Sequence, residues 1–286
     1  MEDSLIAALK SLQSPCRLCP RACGARRADG ETGFCGAVAQ ATIASFGPHF
    51  GEERVLVGRG GSGTIFLSGC NLKCVFCQNF DISQSVSGRS VTPAALAGVM
   101  TALQEEGCEN VNFVTPTHHS PQIAEAILIA RRSGFSRPVV YNCGGYESVE
   151  ALRLLDGLVD IYMPDAKFLD EEASNSYMRA RDYPARMREA LREMQRQVGD
   201  LVVRDGRAVR GLLVRHLVMP GHLEDSIRVM DFLASEVSPR AYVNIMGQYR
   251  PLYRAAEFPK ISSRPRPQDV AEARSYAMRR GLQVDE

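Results

Sequence analysis

From residue 64 onward, short apolar, β-branched runs alternate with longer stretches of helical periodicity, and this alternation constrains the fold more than any other feature. Six runs have the length and composition of strands: 64–67, 110–115, 138–142, 160–164, 212–218 and 242–247. Helical spacing fills the gaps at 93–106, 121–133, 148–155, 170–197 with a break at Pro184, 223–234 and 267–280. Repeated βα units predict parallel strands with helical crossovers, so we expect an α/β fold containing a partial (β/α)6 barrel.

The residues before the barrel carry weaker signals. Apolar residues at helical spacing predict a short amphipathic helix over residues 1–13, and 41–44 is a candidate strand in an otherwise irregular stretch from 36 to 63. The glycine-dense run 58–63 lacks the Lys-Ser/Thr pair of a phosphate-binding loop and predicts a flexible hairpin or lid. We expect two parts: an N-terminal helix with a cysteine-rich metal-binding segment at 1–50, and the barrel at 51–286.

Composition limits the classes of function. The 286 residues, 45% of them hydrophobic, suffice for one barrel-sized domain with a small appendage. A net charge of +1 gives no electrostatic reason to expect nucleic acid or a membrane as partner. No apolar run reaches the roughly 18 residues of a membrane span, and the start Met1-Glu2-Asp3-Ser4 lacks the basic residues of a secretory signal. We therefore expect a cytoplasmic protein.

Three cysteines, Cys70, Cys74 and Cys77, follow the first predicted strand with the spacing C-x3-C-x2-C. Three thiols this close cannot all pair as disulfides, and clustered thiolates are typical ligands of iron-sulfur clusters or zinc. A 4Fe-4S cluster has four irons, so three thiolates leave one iron open to a small ligand. The alternative is a structural zinc site that takes a fourth ligand from elsewhere in the chain.

The run Gly-Cys-Asn-Leu-Lys-Cys-Val-Phe-Cys-Gln-Asn at 69–79 resembles the signature of the radical S-adenosylmethionine (radical SAM) enzymes. Within them it is similar to pyruvate formate-lyase activating enzyme and its uncharacterised homologues. The resemblance implies a 4Fe-4S cluster whose open iron chelates SAM. It also implies reductive cleavage of SAM to methionine and a 5′-deoxyadenosyl radical, which abstracts hydrogen from a substrate. The implied partners are a one-electron reductant such as flavodoxin or ferredoxin and, as a possible substrate, a glycyl radical enzyme.

A second cysteine set precedes the barrel, with the spacing C-x2-C-x3-C-x11-C: Cys16, Cys19, Cys23 and Cys35. Four thiols in twenty residues, with several glycines between them, predict a closed site for zinc or a second 4Fe-4S cluster. Either metal centre with four thiolates carries a formal charge of about −2, which nearby arginines offset. The run Cys-x-x-Cys-Pro-Arg-x-Cys also resembles the N-terminal signature of the same uncharacterised homologues.

Working residues of parallel barrels collect at the carboxyl ends of the strands. By resemblance, the backbone beside Phe76 touches the adenine of SAM; the alternative is that this ring only covers the cluster. After the second strand, Thr115 and Thr117 replace the Gly-Gly-Glu-like turn of the family and are candidate SAM contacts. His118 and His119 are either an acid/base pair for the substrate or one packed and one solvated histidine.

The next strand ends supply further candidates by resemblance. Asn142 matches a SAM-binding position, and Asp165 with Lys167 matches an Asp-x-Lys element in which Asp165 binds a monovalent cation or Lys167 pairs with the SAM carboxylate. An ion pair between Asp165 and Lys167 is the competing explanation. Arg215 or His216 is expected to point into the barrel, because a cation within an apolar strand is costly unless paired. By resemblance Arg215 meets SAM, and the alternative is that it pairs with Asp165.

Two other functions remain open from the sequence. One is radical SAM modification of a small molecule or peptide, with the turn from Thr115 to His119 forming an altered pocket. The other is an iron-sulfur electron-transfer or binding protein, although electron carriers typically ligate every iron through protein groups.

Overall fold

The computed structural model describes residues 2–285, and these residues form one ten-stranded sheet flanked by helices. The strands are β1 Ala41–His49, β2 Ser62–Leu67, β3 Arg89–Val91, β4 Val111–Val114, β5 Val139–Cys143, β6 Ile161–Pro164, β7 Val202–Arg204, β8 Arg207–Leu217, β9 Tyr242–Met246 and β10 Gln283–Val284. The α-helices are α1 Glu2–Gln13, α2 Arg54–Val57, α3 Phe80–Ser83, α4 Pro93–Glu105, α5 Ser120–Arg132, α6 Val149–Leu154, α7 Glu171–Met178, α8 Tyr183–Val198, α9 Leu223–Phe232 and α10 Pro267–Arg279.

The barrel wall consists of β2, β4, β5, β6, β8 and β9, which pair side by side in parallel. These are the six predicted strands, and the predicted helices lie between them. Their β-branched and apolar residues are buried on both faces, as expected where helices cover a parallel sheet. The prediction of a partial (β/α)6 barrel is confirmed.

Two of the crossover helices, α4 and α7, begin at residues whose side chains cap them. The Thr92 hydroxyl accepts a hydrogen bond from the Ala95 amide at 3.2 Å, and Pro93 occupies the first helical position. The Asp170 carboxylate accepts from the Ala173 amide at 2.7 Å. The predicted helix at 170–197 divides as expected, because Arg179 has a left-handed conformation and Pro184 starts the next helix.

The stretch before β2 is more ordered than the sequence indicated. β1 extends from Ala41 to His49 and pairs antiparallel with β2, so the hairpin crosses the boundary expected at residue 50. The expectation that residues 36 to 63 hold little beyond a short strand is wrong. Gly47 and Pro48 lie inside β1 and mask its strand pattern, since both residues are rare within strands.

The short helix α2 follows β1 and closes the amino-terminal side of the barrel. Leu56 is fully buried in one cluster with Val140, Ile161, Met163 and Leu213. This cluster identifies the inner face of the wall, because alternate residues of a strand point to the same side. No helix of residues 2–285 is both long enough and apolar enough to cross a membrane.

Candidate cofactor site at the carboxyl ends of the strands

The three-cysteine loop starts directly where β2 ends. Gly69 has φ +85°, and a side chain there would meet the Cys35 carbonyl oxygen at 2.6 Å, so this position requires glycine. The Ser83 hydroxyl donates to the Cys77 sulfur at 3.2 Å, and the Leu72 amide donates to the Cys70 sulfur at 3.4 Å. Donors aimed at sulfur stabilise thiolates, so this loop fits a thiolate-ligated cluster.

Four tethers hold that loop against the barrel. The Asn71 amide donates to the Tyr146 carbonyl at 2.7 Å, and the Arg21 guanidinium donates to the Asn71 carbonyl at 2.9 Å. The backbone of Val75 bonds to Tyr177 and to Arg254 at 2.9 Å each. The loop is thereby fixed to the β5 end, α7, the C-terminal region and the cysteine-rich N-terminal segment.

Phe76 is buried within aromatic side chains. Its ring packs edge-on against Phe168 and Tyr249, with ring centroids 6.2 Å apart in both pairs. The ring is therefore part of an aromatic cluster, while its covering of an iron-sulfur cluster and contact of the neighbouring backbone with adenine both stay predictions.

Asp165 and Lys167 form an ion pair, with 2.6 Å between Lys167 Nζ and Asp165 Oδ2. The ion pair expected as the competing explanation is therefore present, while binding of SAM or a cation by these residues stays a prediction. Burial alone would lower the pKa of Lys167, but Asp165 and the Cys74 thiol raise it, so its ammonium stays charged. Burial raises the pKa of the Cys74 thiol and Lys167 opposes that rise. The lysine thus places a positive charge beside the cysteine loop.

Arg215 pairs with Glu52 and Glu53, so the expected ion pair with Asp165 is wrong. The guanidinium forms a fork on Glu53, with Nε–Oε1 at 2.7 Å and Nη2–Oε2 at 2.6 Å, and also contacts Glu52. The Asn244 amide donates to Glu53 at 2.8 Å. Burial raises the pKa of Glu53, but Arg215 outweighs it and holds the pKa below its usual range. Arg215 pairs with these glutamates because the segment after β1 folds back into the barrel.

Three predicted site residues share the inner face of the barrel. Asn142 pairs in register with Met163 of the interior cluster, and Asp165 and Arg215 lie two residues beyond interior positions of their strands. Of the two candidates for an inward-pointing residue, Arg215 and His216, the register places Arg215 on this face. Asn142, Asp165 and Arg215 form a polar ring above the apolar floor, at the end of the barrel that carries the cysteine loop.

The threonine turn does not present both hydroxyls to this ring. Thr117 is 1% exposed, and its hydroxyl donates to Glu147 at 2.6 Å. Sequence reasoning missed Glu147, which is buried and also accepts from the Tyr141 hydroxyl at 3.2 Å. Burial raises the pKa of Glu147 to about 8 despite these hydrogen bonds. The only sequence signal is its place directly after the Gly-Gly-Tyr turn that ends β5.

Thr115 has φ +60°, a left-handed conformation that is strained for a β-branched residue. We expect Thr115→Gly to change the free energy of unfolding by less than about 1 kcal/mol, because relief of this strain offsets the entropy cost of glycine. The control Ala102→Gly, in the interior of the helix α4, should destabilise by about 1 kcal/mol. Urea denaturation measures the free energy of unfolding of both variants. An equal loss of stability in the two would show that the backbone at Thr115 is not strained.

Glu147→Gln tests the raised pKa of the buried carboxyl. The folded state holds its proton up to about pH 8. The stability that protonated Glu147 contributes is therefore fully present below the ordinary pKa of glutamic acid and is lost as the pH rises through 8. Glutamine does not titrate. We therefore expect the free energy of unfolding of the variant, relative to that of wild type, to rise by roughly 2 to 4 kcal/mol from pH 5 to pH 9. Thermal unfolding against pH measures this, with the exposed Glu105→Gln as control; parallel curves would refute it.

The paired histidines are both buried, so the expectation that one is solvated is wrong. His118 is 2% exposed and His119 0% exposed. His118 Nε2 donates to the Ser68 carbonyl at 2.7 Å, and the Thr42 amide donates to His119 Nε2 at 3.5 Å. Burial lowers the pKa of His118 to about 4 and lowers that of His119 as well. Both imidazoles are neutral near pH 7, which disfavours the predicted acid/base role.

The N-terminal cysteines lie between α1 and β1. Cys16 and Cys35 are buried, Cys19 is half-buried and Cys23 is exposed. The thiols are electrostatic neighbours, since Cys16 and Cys35 both raise the pKa of Cys19. Within residues 2–285, no three Cys, His, Asp or Glu side chains are arranged around a point that fits a single metal ion. Cys108 and Cys143, outside both sets, are buried.

Comparisons with known proteins identify the family of this chain. The family model of the radical SAM superfamily matches residues 64–233, more than half of the chain. Two uncharacterised proteins of Methanocaldococcus jannaschii are similar along most of the chain. MJ0674 is 32% identical, covering 99% of this chain and 80% of its own length. MJ0808 is 24% identical, covering 93% and 78%.

Among solved structures, the crystal structure of Streptococcus suis SuiB bound to precursor peptide SuiA is similar, with a TM-score of 0.51 and 13% identity. The match covers 75% of this chain and 46% of that chain, so this chain spans less than half of the SuiB structure. At this identity the likeness shows the fold alone. The family match includes the cysteine loop and the strand ends described above, and the chain belongs to the radical SAM superfamily.

Proposed function

We propose that this protein is a radical SAM enzyme that reductively cleaves SAM and abstracts hydrogen from a peptide or protein substrate. The observation that carries the proposal is the Cys70–Cys77 loop, set at the carboxyl end of β2 with hydrogen-bond donors on two of its sulfurs. Cys70, Cys74 and Cys77 would hold a 4Fe-4S cluster. When bound, the cluster and SAM supply a 5′-deoxyadenosyl radical.

The chain's own residues would bind and orient the polar end of SAM. Asn142 lies on the inner face near the cysteine loop and offers an amide to the amino acid part of SAM. Lys167 carries a positive charge beside Cys74 and suits the carboxylate. Because Lys167 already neutralises Asp165 at 2.6 Å, a monovalent cation at Asp165 has less support than the ion pair. The Arg215 guanidinium is already paired with Glu52 and Glu53, so its role would be to maintain the shape of the barrel interior.

A protein or peptide substrate is favoured by the surface beside the cysteine loop. Phe80 and Tyr253 stack with ring centroids 5.3 Å apart, and both rings are exposed. Exposed stacked aromatics are enriched where proteins bind other chains. Phe80 starts α3 three residues after Cys77, so a bound chain would pass close to the reacting centre. The candidates are a glycyl radical enzyme and a short peptide, and the electron donor is of the flavodoxin or ferredoxin class.

The test is anaerobic incubation of reconstituted protein with SAM and dithionite, followed by measurement of methionine and 5′-deoxyadenosine. Formation of both products supports the proposal. A cluster that cycles reversibly without cleaving SAM would instead indicate an electron-transfer protein. Electron paramagnetic resonance in the presence of candidate glycyl radical enzymes then tests the substrate. Formation of 5′-deoxyadenosine without a glycyl signal would favour peptide modification.

A further inference from the structure

We propose that Cys16, Cys19, Cys23 and Cys35 hold a second 4Fe-4S cluster, and that this cluster is the electron entry point for the Cys70–Cys77 site. The inference rests on the proposed function for the direction of electron flow. The metal site itself stands on the contacts of the N-terminal segment.

A buried cation without an acidic partner lies against these cysteines. Arg27 is 1% exposed, and no carboxylate of residues 2–285 pairs with it. Its Nη1 lies 4.0 Å from the Cys16 sulfur, its Nη2 donates to the Val38 carbonyl at 2.5 Å, and its Nε has no hydrogen-bond partner. A buried guanidinium is costly unless a negative charge faces it. Four metal-bound thiolates supply that charge, whereas four neutral thiols do not.

The two cysteine sites touch each other. The Cys35 carbonyl oxygen lies against Gly69, the residue bonded to Cys70, so closely that no side chain fits between them. The Lys73 ammonium is an electrostatic neighbour of both Cys35 and Cys70, and Arg21 links the N-terminal segment to the backbone of Asn71. One protein layer therefore separates the sites, which suits electron transfer between two centres.

The four N-terminal cysteines differ in their exposure to solvent. Cys23 is exposed and Cys19 half-buried, whereas Cys16 and Cys35 are buried and the Cys35 carbonyl oxygen contacts Gly69 of the Cys70–Cys77 loop. Gly33 leaves room for the Cys23 thiol, because a side chain there would lie 2.5 Å from that sulfur. An electron carrier needs one accessible edge for its donor and one buried edge toward its acceptor. A zinc site that only stabilises the fold requires neither.

The electron balance of the transfer is one for one. A one-electron donor of the flavodoxin or ferredoxin class loses one electron to the N-terminal cluster. That cluster passes the electron on and returns to its oxidised state, and the centre at Cys70, Cys74 and Cys77 is reduced by one electron. No proton is transferred and no bond is formed or broken in this step.

Metal analysis of anaerobically reconstituted wild type tests the site first. We expect about eight irons per chain; about four irons with one zinc would overturn the proposal. The variant with Cys70, Cys74 and Cys77 replaced by alanine should keep about four irons and, once reduced, a cluster signal in electron paramagnetic resonance. Loss of all iron from a variant with wild-type circular dichroism would also overturn it. Neither readout depends on SAM cleavage.

The relay is tested with the Cys19→Ala/Cys23→Ala variant and two reductants. With dithionite, which reaches exposed clusters directly, it should still form 5′-deoxyadenosine. With reduced flavodoxin, we expect its rate to fall at least about tenfold relative to wild type, equivalent to 1.4 kcal/mol in the barrier. Equal losses with both reductants, or none with either, would overturn the relay. A wild type that fails with dithionite but holds eight irons would refute the proposed function and keep the second cluster. Cys108→Ala is the matched control.

Discussion

Cys74→Ala is expected to lose SAM cleavage and the iron of the Cys70–Cys77 site together. Cys74 is the most buried of the three thiols and sits beside the Lys167 ammonium. Replacement of residues that merely hydrogen-bond a metal ligand costs about 10- to 100-fold, so loss of a ligand should reduce 5′-deoxyadenosine formation by roughly a hundredfold or more. Iron content, absorbance near the cluster bands and product formation measure the effect.

Cys108→Ala is the control for this variant. Cys108 is buried, as Cys74 is, but it follows α4 in the sequence and belongs to neither cysteine set. It should keep the iron content and SAM cleavage of wild type. If Cys74→Ala cleaved SAM as fast as Cys108→Ala, the three-cysteine loop would not be the reacting centre.

Arg215→Met is expected to destabilise the barrel by about 3 to 5 kcal/mol, because it leaves two buried carboxylates without their cation. Glu53 is 0% exposed and Glu52 is 8% exposed, so neither can recover the lost interaction with water. The fork between Arg215 and Glu53 connects the segment after β1 to β8, which otherwise lie far apart in sequence. Urea denaturation of the apoprotein measures the change without involving the cofactors.

The exposed ion pair between Arg279 and Glu272 is the matched control. The side chains are 58% and 51% exposed, so Arg279→Met should cost less than about 1 kcal/mol. Adding Glu53→Gln to Arg215→Met should recover part of the loss, since one uncompensated charge is then removed. A loss at Arg215 no larger than that at Arg279 would show that solvent reaches the pair and that the barrel interior is wet.

The wall of the barrel was predictable because local signals encode it. Each of its strands is an apolar run rich in β-branched residues, and the helices α4 and α7 start at Thr92 and Asp170, which cap them by local hydrogen bonds. The cysteine loop was equally predictable, because its three cysteines lie within eight residues and their spacing can be read without tertiary information. The hairpin β1–β2 was not predictable, since Gly47 and Pro48 within β1 interrupt the residue pattern of a strand.

The sequence by itself therefore determined the βα order, the two cysteine sets and the strand ends at which polar residues collect. Only the tertiary structure decided how those polar residues pair. Arg215 takes Glu53 from a segment more than 150 residues away, and Thr117 takes Glu147 across neighbouring strand ends. Ion pairs and buried hydrogen bonds depend on distance in space and on burial, and neither quantity is encoded in the local residue pattern. The same holds for Cys35 and Gly69, whose contact brings the two cysteine sets together.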